Sequence, residues 1–304
     1  MSVAEIEAAE LDIAAAPVGG LWRDAWRRLR NNPGAIVGFC FVSVFMFVGI
    51  FSHLIAPYSP LDQHLDLVAN GCCPGPSAQH WFGVDDLGRD EFSRILYGAR
   101  SSLIIGVVAV AVALTAGLII GGIAGYVGGV VDSALMRVMD VMLAIPGLLF
   151  AIGIVAMLGP SLFHIMVAIG ITNIPIFARL VRGSILAQRD NDFVLAARSV
   201  GVPRHSILVS HIFPNAISPV IVQATLALAT AIIDVAGLSF LGLGDPNPAR
   251  PEWGQMLTNA NAYLQNAPFL AIIPGLAIVV SALGFNLIGD ALREALDPKL
   301  RGRD

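Results

Sequence analysis

Few residues in this chain are equipped for chemistry, and their types exclude more than they offer. Of its 18 basic residues only Lys299 is a lysine. A phosphate-cradling nucleotide loop needs Gly-x4-Gly-Lys-Ser/Thr, because its lysine must reach the terminal phosphates from a glycine-rich turn. Lys299 follows Pro298 and precedes Leu300, so the chain carries no such loop. The His-Glu-x-x-His zinc pattern and the Gly-x-Ser-x-Gly nucleophile elbow are also absent. His205 and His211 are spaced poorly for sharing a metal on one helix face. Cys40, Cys72 and Cys73 have no zinc or haem spacing. The adjacent pair Cys72-Cys73 can bridge to itself, bridge to a partner or stay free. No metal site is expected.

What remains is Asp234, a carboxylate inside an apolar run. An isolated charge at the bilayer centre costs about 2.5–3.5 kcal/mol on the insertion scale, so it must face protein or water. Two readings stand: a contact along a substrate path, or a hydrogen-bonded packing anchor near the outer interface. Asn173 and Asn286, in neighbouring apolar runs, carry the same pair of readings.

The elements that position these residues follow from composition. The chain has 304 residues, 56% hydrophobic and 13% charged, with a mean hydropathy of +0.75. Soluble domains carry about 25% charged residues, so this is a membrane chain. The net charge of -4 is weak and argues against a nucleic-acid partner. A helical crossing needs roughly 20 apolar residues to traverse about 30 Å of hydrocarbon. Six crossings are expected: at about 35–56, within 101–131, two sharing 141–178 on either side of Gly159-Pro160, about 216–241, and about 268–289. Pro146, Pro175 and Pro274 fall within spans and predict kinks. The amino-terminal residues 4–12 are acidic, unlike the basic start of a signal peptide.

Basic residues orient the spans. With both termini cytoplasmic, Arg23, Arg27, Arg28, Arg30, Arg137, Arg179, Arg182, Arg189, Arg198, Arg204, Arg293, Lys299, Arg301 and Arg303 lie inside. Only Arg89, Arg94, Arg100 and Arg250 lie outside. The flipped arrangement would reverse that asymmetry. Gly117, Gly121, Gly125 and Gly129 recur every four residues, a smooth helix face that admits a close neighbour.

One inner segment is unusually polar: "NDFVLAARSVGVPRHSILVSHIFPN", residues 191–215. Phe193, Ala196, Ala197 and Val200 share a helical face. Gly201-Val202-Pro203 breaks that helix. A second begins at Arg204, with Ile207, Leu208, His211 and Ile212 on one side, and Pro214 leads into the fifth span. A short cytosolic helix with a small-residue apolar face suits docking in a groove on another protein. It suits lying on the bilayer or on its own bundle equally well.

Ala196-Ala197, then Gly201 and Pro214, resembles the coupling loop of binding-protein-dependent ABC importer permeases. Leu195 stands where that pattern has Glu, His211 where it has Ile, and Phe213 where it has Leu. "HWFGVDDLGRDEFSRILYGARSSL" (80–103), "GLSFLGLG" (237–244), "PEWGQML" (251–257), "GDALREALDPKL" (289–300) and "RRLRNNPGAIVGF" (27–39) are similar to the dipeptide and oligopeptide permeases of that family.

The resemblance spans roughly residues 21–301. It implies an all-α membrane protein with the type I importer permease fold and six transmembrane helices. It implies a cytoplasmic tail at 1–34, a first span at 35–56 wrapping a partner, an extracytoplasmic loop at 57–100, a five-span core at 101–290 and a tail at 291–304. The coupling loop would cover 184–215, with Phe193, Ala196, Ala197, Val200, Gly201, Arg204 and Pro214 as its working residues. The implied partners are a second homologous permease, two ATPase subunits that bind ATP and Mg, an extracytoplasmic peptide-binding protein and membrane lipid. This chain would bind no cofactor and catalyse nothing. Related permeases carry dipeptides, longer peptides, glutathione, nickel chelates or opines. A secondary transporter is the rival class, but it needs buried ionisable groups for coupling, and Asp234 is nearly the only one.

Overall fold

The computed structural model describes residues 21–69, 71–247 and 250–296. The acidic stretch 4–12 and the tail residues Lys299, Arg301 and Arg303 lie outside them. Helix α1 spans Leu21–Asn31. Helix α2, Pro33–Ile55, starts where the Asn32 side chain accepts the Ala35 N–H and Pro33 opens the first turn. Helix α4 follows a short turn of helix, α3, at Leu65–Val68. It runs Glu91–Val127. Helices α5, Gly129–Ala144, and α6, Gly147–Leu158, meet at a sharp bend. Helix α7 is Leu162–Arg189 and α8 is Asp192–Ser199. After an irregular helical passage over 204–216 come α9, Ser218–Leu238, α10, Trp253–Ala260, and α11, Phe269–Leu296.

Among the described residues, five helices are long and apolar enough to cross a membrane: α2, α4, α7, α9 with its extension to Leu243, and α11. The bent pair α5–α6 makes a sixth if counted as one span. The third crossing therefore differs from expectation in degree. It bends at Pro146 as expected, but as a break rather than a mild kink: the chain turns by 89° between α5 and α6. Pro146 has no N–H to donate, and it forces Ile145 into an extended conformation (φ -92°, ψ 127°). With 12 residues, α6 reaches only roughly 18 Å. Pro175 and Pro274 sit inside α7 and α11, which continue through them.

The second crossing also starts earlier than expected. With 37 residues, α4 is roughly 55 Å long and outreaches the hydrocarbon layer. Its first turns carry the buried Glu91 and Arg94; the loop before them supplies a partner for Arg94, while Glu91 Oε1 has no hydrogen-bond partner among the described residues. Asp90 caps the helix by accepting the Ser93 N–H at 2.7 Å, and its other oxygen meets His80 Nδ1 at 2.9 Å. Arg94 lies 3.5 Å from the Asp85 carboxylate, which Arg89 also engages at 2.7 Å.

The tightest pairing is α4 against α7. Gly117 approaches Phe177 and Ala178, Gly121 approaches Ala178 and Val181, and a Cβ on Gly125 would stand 3.0 Å from the Arg182 carbonyl. Gly129 does not share this face, contrary to its spacing. Gly128 and Gly129 adopt φ of 72° and 60°, which ends α4 and turns the chain into α5. A Cβ at Gly129 would meet open space.

The first span packs on this chain's own α11 and α4. A Cβ on Gly38 would lie 2.8 Å from Leu287, and one on Gly284 would lie 2.9 Å from Phe41. Its other side exposes Ile36, Phe39 and Phe47, an apolar surface suited to lipid or another membrane chain. The main core gathers Ile105, Ala109, Val155, Ile165, Phe177, Val181, Ile207, Ile212 and Leu238.

Candidate functional site

The bundle has two ends. The lower end holds the start of α2, the ends of α4 and α7, and the segment 190–217. Gln188 and Asn191 join there, and α8 departs at once. Its inward stripe is Val194 and Ala197, both buried. Its outward stripe is Phe193, Ala196 and Val200 at i, i+3 and i+7, with Leu195 beside it. Phe193 is 39% exposed, Leu195 47% and Val200 79%. The shared face read from sequence is thus divided: Ala197 anchors the helix, and the other three look outward.

Gly-Val-Pro stops α8 for a definite reason. Gly201 takes φ 79°, the left-handed value that glycine adopts without strain. Its N–H reaches the Arg198 carbonyl, and the Val202 N–H reaches the Ala197 carbonyl at 3.1 Å. This is the Schellman ending, and Pro203 beyond it prevents continuation. The chain then re-enters the core through Ile207 and Ile212, both buried, and Pro214 sits in the first turn leading towards α9. The Tyr126 hydroxyl at the end of α4 donates to the Arg204 carbonyl at 2.6 Å. The segment is therefore fastened to a core helix at one point while its α8 surface stays unpartnered among the described residues.

Two ion pairs brace this end. Arg182 on α7 grips Asp132 on α5 through both carboxylate oxygens, at 2.5 and 2.6 Å. Arg179 pairs with Asp140, about two turns further along α5. Sequence reasoning used these arginines only for orientation. Their partners lie about forty to fifty residues away in sequence, so no local spacing announces them.

Between the ends, the α5–α6 bend opens a cavity of about 410 Å³. It brings Asp234 and Asn173 together. Asn286 does not join them; it is half-buried on α11 and lines no part of this cavity. Thr172, Gln223 and Thr230 do line it and were missed. A signal existed: Gln223, Thr230 and Asp234 are spaced seven and four apart, one face of α9. The apolar remainder includes Pro146, Phe150, Ile169 and Ile176.

The upper end is a dense cap. Trp253 donates its indole N–H to the Ile95 carbonyl at 3.1 Å and lies against Gly98. Glu252 accepts the Gly254 and Gln255 N–H groups at 2.8 and 3.0 Å, and burial pushes its carboxyl upward. Cys72 and Cys73 are bridged to each other. Buried Cys73 packs with Ala260, Ala267 and Leu270, joining the first outer loop to the second. Among the described residues, no group of three His, Cys, Asp or Glu could hold a metal ion.

This architecture defines a multi-pass helical membrane protein. Its fold matches an inward-facing MetNI methionine ABC transporter structure with a TM-score of 0.56, covering 67% of this chain and 96% of that one at 18% identity. That likeness gives the type I importer permease fold. Residues 117–302 match the model of the family described as binding-protein-dependent transport system inner membrane component. Residues 20–70 match the amino-terminal transmembrane domain of oligopeptide transport permease C.

The chain is 47% identical over 280 residues to the dipeptide transport system permease protein of Alkalihalophilus pseudofirmus, covering 92% of this chain and 90% of that one. It is 46% identical over 281 residues to the glutathione transport system permease protein of Escherichia coli, covering 92% and 91%. The protein belongs to the binding-protein-dependent ABC importer permeases.

Proposed function

We propose that this chain is one of two homologous permease subunits in an ATP-driven importer of di- and oligopeptides, set in the bacterial cytoplasmic membrane. The observation that carries this reading is the 47% identity to a dipeptide permease along 92% of the chain. The basic residues favour placing the lower end in the cytosol. There the outward stripe of Phe193, Ala196 and Val200 offers an apolar surface for an ATPase subunit. Two such subunits bind ATP and Mg; this chain contributes no catalytic group.

Closure of the ATPase dimer would push on α8. The fastening at Arg204 and the buried pair Ile207 and Ile212 would transmit that push to α4 and α9. The helices would then open at the upper end and accept peptide from a binding protein seated on the loops 57–90 and 244–268. Cargo would pass the cavity containing Asp234 and Asn173. Leu195 stands where relatives of the coupling loop carry Glu, so apolar contact and the Gly201 turn must support coupling here.

The test is uptake into proteoliposomes holding both permeases and both ATPases, with loaded binding protein outside. ATP-dependent uptake is expected from the complex and none from this chain alone. Ion-gradient-driven uptake by the chain alone would sink the reading in favour of a secondary transporter. A glutathione cargo is the second reading, favoured by the 46% identity to a glutathione permease; supplying each cargo in turn separates the two.

A further inference from the structure

Asp234 is the one charged residue lining the cavity at the α5–α6 bend, among the described residues. Among the described residues it makes no ion pair and no hydrogen bond. Three of its polar neighbours have spent a donor elsewhere, while the Gln223 amide has none engaged among the described residues. The Thr172 hydroxyl donates to the Ile169 carbonyl at 3.0 Å, and the Asn173 amide donates to the same carbonyl at 2.9 Å. The Thr230 hydroxyl donates to the Ala227 carbonyl at 3.1 Å. Thr172 and Thr230 have acceptor capacity left for the cavity, and the Asn173 and Gln223 amides offer carbonyl acceptors beside their remaining N–H groups. The wall therefore combines one uncompensated carboxylate, several acceptors and apolar surface from Phe150, Ile169 and Ile176.

Such a wall attracts a cation that carries donors. A bare metal ion fits poorly, because no cluster of three ligating side chains is present among the described residues. The volume of about 410 Å³ suits an organic molecule rather than an ion. An alkylammonium group attached to a small organic body meets every requirement: its N–H groups face the acceptors, its charge faces Asp234, and its carbon skeleton faces the apolar wall.

We propose that this cavity is a cation-selective station on the transport path, where Asp234 receives the free ammonium group of a passing peptide. This rests on the peptide-import reading above. Asp234 is then a specificity-determining residue of the permease itself, acting after the binding protein has released its cargo. An amino-terminal ammonium and a lysine side chain share the same chemistry and are separated by experiment.

The test uses the complete importer in proteoliposomes. A Thr230→Cys reporter is placed in a Cys40→Ser chain, with the same chain lacking the reporter as background. Thiol modification is timed with a trimethylammonium-bearing and a sulfonate-bearing methanethiosulfonate, each normalised to its rate with a free thiol. Focusing of counter-ions in a charged cleft amounts to 10-fold or more. The normalised cation-to-anion ratio should therefore be about tenfold and fall to about one when Asp234→Asn is added.

In parallel, uptake is measured at saturating loaded binding protein, using a dipeptide with neutral side chains and one containing lysine. Asp234→Asn should lower uptake of the neutral-side-chain dipeptide by about tenfold, and Asp234→Glu should restore most of it. Complex assembly and basal ATPase rate serve as folding checks for both variants. A normalised ratio near one in the unaltered chain would overturn the proposal. So would full uptake of both dipeptides by Asp234→Asn, whereas a loss confined to the lysine peptide would assign the station to the side-chain ammonium. Lack of uptake by the unaltered importer would instead sink the peptide reading itself.

Discussion

At the upper end, Trp253 fills the space over Gly98 and hydrogen-bonds Ile95, and Asp85, Arg89 and Arg94 are buried together. At the lower end, α8 buries only Val194 and Ala197 and leaves Phe193, Leu195 and Val200 in the open. Both ends are made of short helices and loops between the same long spans. The cap packs most of its buried residues against its own chain, and Glu91 Oε1 and His64 Nε2 are buried exceptions without a hydrogen-bond partner among the described residues. The lower segment fixes its backbone, through Gly201 and Tyr126, but leaves its side chains unmatched. A segment that must take force from a partner needs that combination: a defined shape with an unfilled face.

This contrast can be broken by experiment, beginning with the cap. Trp253→Ala should cost about 3–5 kcal/mol, the usual penalty for deleting a buried tryptophan. It should show as a lowered detergent melting temperature and poor complex assembly. If it left stability intact, the cap would not be the rigid end. Next in size is Gly201→Val, which forces a side chain into the left-handed region at a cost of about 1–2 kcal/mol. Melting should shift modestly, while ATP-coupled uptake should fall sharply because the turn after α8 is displaced.

Val200→Asp should change stability by less than about 0.5 kcal/mol, since the side chain is exposed. It should nevertheless uncouple uptake from ATP, measured as ATPase co-purification and transport together. Normal coupling in this variant would remove the outward stripe from the mechanism. A smaller effect concerns pH. Burial raises the Glu252 carboxyl above its ordinary 4.5, so the folded state holds its proton more tightly than the unfolded chain. The associated stability is fully present below pH 4.5 and is lost as pH rises through the folded value. Glu252→Gln should flatten that part of the melting profile. Leu195→Glu, which restores the loop's common residue, should leave melting unchanged and alter the ATPase-to-uptake ratio only slightly.

Much of this was legible in the sequence. Apolar run lengths gave the long spans, and the Gly-Val-Pro break marked the end of α8 because glycine and proline act locally. The bend at Pro146 was legible, but its 89° size was not. A proline within an apolar run reads as a kink, and sequence cannot say how far neighbouring helices will let it open. Gly129 was misassigned for a related reason. Four-residue spacing presumes a continuous helix, and the two positive-φ glycines ended it.

The sequence by itself determined that this is a membrane chain without a nucleotide loop, and which segment is polar enough to meet a partner. Those properties depend on composition and on contacts within a few residues. Only the tertiary structure decided that Asp234 shares a cavity with Asn173 and not with Asn286, that Ala197 turns inward while Val200 turns outward, and that Arg182 finds Asp132. Each of those outcomes depends on how separate helices rotate and cross, and a helix's rotation is fixed by its neighbours' packing rather than by its own residues.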